Sequence, residues 1–377
     1  MSEPQRDLSF LHPYFLGPGA ENERLLEELL VEFLRDHAYW RRNFHPEDGF
    51  RVDAGARNRD DFLAFQARTR QELYRLSADL KRAVPFFHPR YLGHMSADLL
   101  LPGLVAKLIT TLYNPNNVAE EAAPVTLEME LQAGEQLARM FGYSVDEAAE
   151  PCAWGHLTGG GTVANYEALW NFRSLRFYPI AVQEGCRTMG FQPGPMGPRA
   201  KPLAEYSKWE LLNFSIDETV AFRRELAAAA ERSGDRRLLH DLAVAIGGER
   251  IESLGTAGFF LKHSDLNPPV VMVPVSAHYS WEKGMKVLGF GKANLRSVAV
   301  DDHMRMDPSD LRTQLTRAFE AQVPVLCVVG VLGSTEFGTV DPIHEIIAQR
   351  DEFRQRRWDF AVHVDAAWGG YLASVFR

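Results

Sequence analysis

The segment FAVHVDAAWGG, residues 360–370, decides the fold, because it is a short apolar strand that ends on an aspartate and is followed by small residues. Upstream, apolar runs alternate with helical patterns, in the order 270–275, 279–288, 296–300, 310–322, 323–332 and 343–356. Such alternation predicts a parallel sheet that is covered on both faces. We therefore expect an α/β fold with a mostly parallel sheet. Asp365 would then lie at the carboxyl edge, where open α/β sheets bind ligands.

A second segment, HLTGGGTVAN at residues 156–165, predicts a short strand at 156–158, a turn of three glycines and a helix over 163–172. The backbone N–H groups at such a helix start can bind a phosphate, since glycine allows close approach and the helix dipole favours an anion. The segment also fits the looser dinucleotide fingerprint, but no acidic residue follows about 20 positions later on a second strand. A tight turn that needs glycine for packing is the alternative.

Polar residues follow two further strands of the predicted sheet. His278 lies in SAHYS at 276–280, and Thr335 ends the turn that follows the apolar run 323–332. Each residue also has a purely structural alternative. His278 could be a histidine whose hydrogen bonds are made within the fold, Thr335 could belong to an ordinary turn, and Asp365 could cap the next helix. Together, a phosphate cradle, an imidazole that can stack on a ring and a carboxylate for a ring nitrogen indicate pyridoxal phosphate.

Composition excludes several classes of protein. The chain has 377 residues, of which 46% are hydrophobic and 24% charged, as in ordinary globular proteins. A net charge of −9 argues against a nucleic-acid partner, and no apolar run reaches the ~20 residues of a membrane helix. The start has no secretory or transit signal, and three scattered cysteines without metal-ligand spacing suit a cytoplasmic protein. We expect those cysteines to be core residues or inert, and no metal site.

The sequence closely resembles the group II pyridoxal-phosphate decarboxylases, and among them the bacterial tyrosine decarboxylases. The resemblance rests on HVDAAWGGY at 363–371, SAHYSWEKG at 276–284 and GHLTGGGTVANYEALWN at 155–171. KWELLNFSIDE at 208–218 is similar to an insertion of the bacterial tyrosine decarboxylases. The resemblance extends from about residue 10 to the last residue.

This resemblance implies a fold-type I, aspartate-aminotransferase-like large domain at residues 124–377, preceded by a helical dimerisation segment at 1–123. Within the large domain, residues 183–268 carry little strand signal and are predicted to be a large surface insertion with a charged helix near 217–232. The family's small C-terminal domain is expected to be absent from this chain. So is the Schiff-base lysine, which in the family follows the HVDAA strand by roughly 30 residues.

We therefore expect the chain to be the N-terminal part of an enzyme and to be inactive alone. Lys283, Lys286 and Lys292 are expected to be solvated and not to replace that lysine.

Carried over residue by residue, the resemblance assigns roles around the cofactor. Asp365 would pair with the pyridine nitrogen, His278 would stack on one ring face, and Ala367 would pack on the other. Thr335 would contact the cofactor near its reactive side and join His278 and Asp365 as a catalytic residue. The phosphate would be held by Gly161, Thr162 and Val163. The substrate pocket would be lined, partly across a dimer interface, by His94, Met95, Asn116 and Val118.

The expected function is decarboxylation of an aromatic L-amino acid, L-tyrosine to tyramine and CO₂, by a cytoplasmic homodimer that binds neither nucleic acid nor membrane. One alternative is the same chemistry on DOPA, phenylalanine, glutamate or aspartate. The other is an inactive cofactor-binding or dimerisation remnant, if the protein ends at Arg377.

Overall fold

The computed structural model describes residues 9–91 and 93–376, and its contacts divide the chain into two compact units between Ala133 and Gly134. The division lies within a helix, whereas the sequence predicts a boundary at residue 123. The first unit is helical. Its helices are α1 (Glu23–Phe44), α2 (Ala54–Arg57), α3 (Asp60–Leu80), α4 (Leu101–Tyr113) and the first part of α5 (Pro124–Phe141), with 3-10 turns at Ser9–Tyr14 and Glu120–Ala122.

The second unit contains the remaining helices and all the strands of the described chain. Its helices are α6 (Gly161–Met189), α7 (Lys208–Leu211), α8 (Ile216–Arg232), α9 (Leu238–Glu249), α10 (Ile251–Lys262), α11 (Ser280–Val287), α12 (Pro308–Glu320) and α13 (Ile343–Gln355). Its strands are β1 (Pro195–Met196), β2 (Lys201–Pro202), β3 (Val270–Pro274), β4 (Leu295–Val298), β5 (Val325–Val331) and β6 (Ala361–Asp365). Its 3-10 turns are Leu203–Glu205, Lys292–Asn294 and Gly369–Val375.

Strands β3 to β6 form one parallel sheet in the order β4-β3-β5-β6, while β1 and β2 make a separate antiparallel pair. Alternate residues of β3 belong to different hydrophobic clusters: Val271 packs with α6 and α11, whereas Met272 packs with α12 and α13. Helices therefore cover both faces of the sheet, which explains why β5 is buried at every position. The predicted α/β fold with a preceding helical segment is confirmed.

The register brings the end of β6 to the carboxyl edge of the sheet. Asp365 is the last residue of β6 and pairs with Val331, the last residue of β5. Its carbonyl oxygen accepts a hydrogen bond of 2.9 Å from the N–H of Leu332. The position predicted for this aspartate from the apolar run before it is therefore confirmed.

Two local predictions about the glycine turn differ from the structure. Residues 156–158 form no strand, because a strand needs a neighbour for its ladder and none of the described strands pairs with them. The helix after the turn is also longer than predicted and runs for 29 residues. It continues because its later turns are buried, and Gly185 lets it lie against α9, where an added Cβ would be 2.6 Å from Ile246 Cγ1.

Residues 183–268 are not a surface element, contrary to the prediction. Leu211, Phe222 and Phe259 are almost wholly buried and join the cluster that covers one face of the sheet. The many charged residues on the exposed faces of these helices make the segment look like a surface element in the sequence. The apolar residues on the opposite faces are nevertheless buried.

The cysteines fall into two groups. Cys186 and Cys327 are buried, as expected, and burial raises the pKa of Cys186 to about 11, which keeps its thiol protonated and unreactive. Cys152 is exposed and is therefore not a core residue, and its expected inertness stays a prediction. None of the described helices combines the length and apolar content needed to cross a membrane.

A buried ion cluster joins α6 to the start of β6. The carboxylate of Asp359 lies 3.4 Å from Arg176 Nη2 and 2.5 Å from Arg354 Nε, and its backbone N–H donates to Asn213 Oδ1 at 3.1 Å. Arg176 also donates to the carbonyl oxygen of Leu212 at 2.7 Å. Burial lowers the pKa of Arg176, and the negative charge of Asp359 opposes that shift. The cluster therefore fixes residues 212–213 to the entry of β6.

Replacing Asp359 with alanine should strongly destabilise the second unit. Asp359→Ala leaves the buried guanidinium of Arg176 without its counter-ion, and the expected loss in free energy of unfolding is about 3–5 kcal/mol. Urea denaturation followed by circular dichroism measures this loss.

The matched control is Glu352→Ala, which breaks the exposed pair that Glu352 forms with Arg312 at 2.7 Å. Its expected cost is about 1 kcal/mol or less, since exposed pairs contribute little. Equal losses in the two variants would contradict the role given to the buried cluster.

Candidate functional site

The carboxylate of Asp365 is the centre of the site. Its side chain is buried, with 9% of the residue exposed, and its Oδ2 accepts hydrogen bonds of 3.0 Å from Asn165 Nδ2 and from Trp281 Nε1. For Oδ1, the structure gives no hydrogen-bond partner among the described residues. Oδ1 is not one of the fully enclosed polar atoms that lack a partner, so a ligand can reach it. The arrangement therefore suits a ligand that brings an N–H group or a cation to Oδ1.

Asn165, on α6, connects the three elements that meet at this edge. Its Nδ2 also lies 3.0 Å from Ser280 Oγ at the start of α11, and its Oδ1 lies 3.2 Å from His363 Nε2 on β6. Because a carboxylate can only accept, the amide nitrogen must face Asp365, and Oδ1 must accept from His363 Nε2–H. Burial lowers the pKa of His363, although the nearby charge of Asp365 opposes this, so the imidazole is neutral at pH 7.

His278 joins the same network from the segment before α11. Its Nδ1 lies 2.9 Å from Ser280 Oγ and accepts from the Ser280 N–H at 3.3 Å. An accepting Nδ1 leaves the ring proton on Nε2. The half-buried imidazole therefore presents an N–H donor on the side away from Ser280.

The helix start at the glycine turn directly adjoins the end of β6. Gly160, with φ 133°, precedes α6 and has no side chain that could cap it. A Cβ on Gly161 would lie 2.6 Å from Ala367 Cβ, so only glycine allows this approach. The N–H of Val163 already donates to the Gly160 carbonyl oxygen at 3.0 Å. The first N–H groups, those of Gly161 and Thr162, are thus the ones left for an anion, aided by the helix dipole.

Thr335 is less closely connected. It is exposed in the turn after β5, next to the buried Ser334, whose Oγ lies 2.8 Å from Thr339 Oγ1. No recorded contact in the described chain joins Thr335 to Asp365, so its role remains a prediction. The structure therefore brings together four of the predicted site residues, Gly161, His278, Asp365 and Ala367, from three segments of the chain.

The four residues predicted to line a substrate pocket lie in the first unit. His94 and Met95 both have positive φ, at 58° and 49°. Asn116 Oδ1 accepts from the N–H of Val118 at 3.2 Å, and the side chain of Val118 projects into solvent, with 89% of the residue exposed. Their role in substrate binding stays a prediction.

The sequence did not single out Asn165, Trp281 or His363 for a role in the site. The signal for Asn165 is its position four residues after Gly161, which places it one turn along the same face of α6. Trp281 follows the predicted His278 segment and is wholly buried.

The three lysines near the site are solvated, as expected. Lys286 and Lys292 pair with Glu282 at 2.6 and 3.1 Å, and Lys283 lies over the Tyr279 ring at 4.3 Å.

Comparison with known proteins agrees with this geometry. The conserved domain of pyridoxal-dependent decarboxylases matches residues 244–377. L-tyrosine decarboxylase of Enterococcus faecalis is 33% identical over 370 residues, covering 97% of this chain and 53% of that protein. L-tyrosine decarboxylase of Levilactobacillus brevis is 32% identical over 368 residues, covering 97% and 52%. The chain spans about half the length of the curated relatives it matches.

A solved structure shares the fold. The glutamate decarboxylase domain of a Vibrio parahaemolyticus transaminase and L-2,4-diaminobutyrate decarboxylase aligns with a TM-score of 0.50 at 15% identity, covering 94% of this chain and 60% of that one. With a matching conserved domain and about one third of residues identical over nearly the whole chain, this protein belongs to the pyridoxal-dependent decarboxylase family.

Proposed function

We propose that this chain is the cofactor-binding part of a pyridoxal-phosphate-dependent decarboxylase that converts L-tyrosine to tyramine and CO₂. The observation that carries the proposal is the asymmetry of Asp365, whose Oδ2 takes two protein donors while Oδ1 has none among the described residues. The choice of substrate is supported by the two L-tyrosine decarboxylases that the chain resembles over almost its full length.

The residues of the site fit pyridoxal phosphate. The start of α6 offers N–H groups and a favourable dipole for the phosphate, with glycine where a Cβ would clash with Ala367. The free Oδ1 of Asp365 suits a protonated pyridine nitrogen. His278 and Ala367 are the proposed neighbours of the two ring faces, and Thr335 is a proposed contact near the reactive side.

The bound cofactor supplies a ring that accepts the electron pair released when CO₂ leaves. Asp365 keeps a proton on the ring nitrogen by its negative charge, which favours that acceptance. Asn165 and Trp281 hold the carboxylate in one orientation through Oδ2, which would leave Oδ1 to accept from the ring nitrogen. His278 offers Nε2–H, which can donate to the carboxylate of the substrate and orient it.

We further propose a cytoplasmic homodimer in which a neighbouring subunit completes the substrate pocket. The pocket residues proposed for the first unit are His94, Met95, Asn116 and Val118. Dimerisation is supported by α3, which has no buried residue and exposes Phe65, Leu73 and Leu76. A reducing compartment is supported by the three cysteines, all of which are free thiols.

The substrate assignment is tested with the full-length protein. We expect CO₂ release from L-tyrosine to have a kcat/KM at least about 10-fold above that from phenylalanine, glutamate or aspartate, because a pocket that binds a phenol hydroxyl discriminates against its absence. DOPA keeps that hydroxyl and is measured beside them to test tolerance of a second one. Manometry or coupled CO₂ detection over this panel gives the result. A preference for an acidic amino acid would reject L-tyrosine but retain the cofactor chemistry.

Asp365→Asn should abolish most of the activity without emptying the site. The amide has nearly the same shape but no negative charge, so the ring nitrogen loses its proton and kcat is expected to fall about 100-fold or more. Steady-state kinetics and the absorbance of bound cofactor are the two readouts. The control is Asp351→Asn, at an exposed residue paired with Arg350. Near-normal kcat in Asp365→Asn would refute the role given to this carboxylate.

Asn165→Ala tests whether the amide positions Asp365. The variant removes one donor to Asp365 and the acceptor of His363 Nε2–H, leaving buried polar atoms unpaired. We expect the dissociation constant for the cofactor to rise about 10-fold and kcat to fall at saturating cofactor.

The control for Asn165→Ala is Asn294→Ala, whose amide donates only to the Phe290 carbonyl oxygen at 2.8 Å. Titration of the apoenzyme with cofactor separates the two effects. If Asn165→Ala lowers only the melting temperature, with unchanged affinity and kcat, the residue is structural.

A further inference from the structure

A second cavity, of about 540 Å³, opens between α6, α8 and α9 in the second unit. Its floor is apolar and is formed by Leu175, Leu226, Leu242 and Ile246. This volume lies within the range of about 300–1,000 Å³ typical of small-molecule pockets, which are mostly apolar with a few polar groups. The cavity therefore has the size and floor of a ligand site.

Both charged side chains that line this cavity are arginines. Arg223 and Arg250 line it together with Tyr178, and no aspartate or glutamate is among its lining residues. Arg250 lies 3.3 Å from Glu252 Oε2, outside the lining, while Arg223 has no ion pair among the described residues. Burial raises the pKa of Tyr178, so its phenol remains a neutral hydrogen-bond donor. Two guanidinium groups and a phenol are a donor set that suits a carboxylate.

The cavity is separate from the site at Asp365. Asn165 lies in the second turn of α6, whereas Leu175 and Tyr178 lie ten and thirteen residues further along the same helix. At 1.5 Å per residue, this separates the two sites by about 15–20 Å along the helix axis. The other two walls, α8 and α9, belong to residues 183–268, which the proposed reaction does not use.

We propose that this cavity binds a small amphiphilic carboxylate, with its acid group at Arg223 and Arg250 and its apolar body over Leu226, Leu242 and Ile246. The separation of a cationic rim from an apolar floor is the feature that selects this class. A purely polar anion would leave the floor exposed to water, and a neutral apolar molecule would leave Arg223, unlike the Glu252-paired Arg250, without a counter-charge. The proposal is independent of the decarboxylase reaction.

Isothermal titration calorimetry of the full-length protein tests the proposal, with octanoate and 3-phenylpropionate as probes at concentrations below micelle formation. We expect saturable binding of one molecule per chain, and at least 10-fold weaker binding of octan-1-ol, which has no charge. The stronger of the two carboxylates identifies an aliphatic or an aromatic body.

The charge contribution is tested with the double variant Arg223→Gln, Arg250→Gln, which should weaken carboxylate binding at least 10-fold. Arg224→Gln is the control, since Arg224 is on the same helix, pairs with Glu150 at 3.0 Å and does not line the cavity. If the double variant binds octanoate as tightly as the wild type and Arg224→Gln do, the proposed contact with the arginines is wrong.

The location is tested with Gly247→Phe, which adds a ring at a residue that lines the cavity. A Cβ on Gly247 meets nothing within 4 Å, so the substitution is compatible with the backbone. Gly248→Phe is the matched control, because its Cβ is equally unobstructed and it does not line the cavity. We expect binding to be lost only in Gly247→Phe.

Two results would overturn the proposal. One is binding that persists unchanged in Gly247→Phe. The other is the absence of saturable heat with both carboxylates in the wild type, which is also the result expected if a second copy of the chain covers the cavity.

Discussion

The buried carboxylate of Asp365 is the constraint on which the rest of the site depends. A strand that ends on an ionisable residue inside the fold must find donors there, and the chain supplies them from two other elements, Asn165 on α6 and Trp281 on α11. These two hydrogen bonds fix where both helices begin relative to the end of β6. Gly161 and His278, which adjoin those helix starts, are brought to the same edge as a result. The geometry of the candidate site is thus a consequence of satisfying one buried group.

The opposite end of β6 is held in a comparable way. Asp359 precedes the strand and is neutralised by Arg176, which lies on the same long helix as Asn165. One helix therefore contacts both ends of this strand, with Asn165 at the site and Arg176 at the ion cluster. The helix stays continuous through Pro179 because it is buried on the sheet side, and Gly185 permits close contact with α9. The segment 183–268 is consequently part of the core that supports the site.

The alternation of apolar runs and helical patterns was sufficient to predict the parallel sheet, because strands buried on both faces have continuous apolar sequences such as β5. Asp365, His278 and the glycine turn were predictable because each follows a strand or starts a helix. Asn165 was missed, since an asparagine inside a helix carries no sequence signal for a partner 200 residues away. The burial of Phe222 and Phe259 was missed for a related reason. The sequence of a helix with one charged face gives little indication of how much of its other face is covered by neighbouring elements. The absence of a strand at 156–158 and the exposure of Cys152 both depend on tertiary neighbours that the local sequence does not show.

The hydrogen bond from Trp281 to Asp365 also connects the site to a fluorescent side chain. Its indole is wholly shielded from water, whereas Trp40, Trp154 and Trp170 are about half or more exposed. A shielded indole emits at shorter wavelength than a hydrated one, so the fluorescence of Trp281 is spectrally distinct from that of the surface tryptophans. Because its N–H is bonded to the carboxylate of Asp365, a ligand that changes the charge around that carboxylate is expected to change this emission. Trp281 is therefore an intrinsic fluorescent probe at the candidate site.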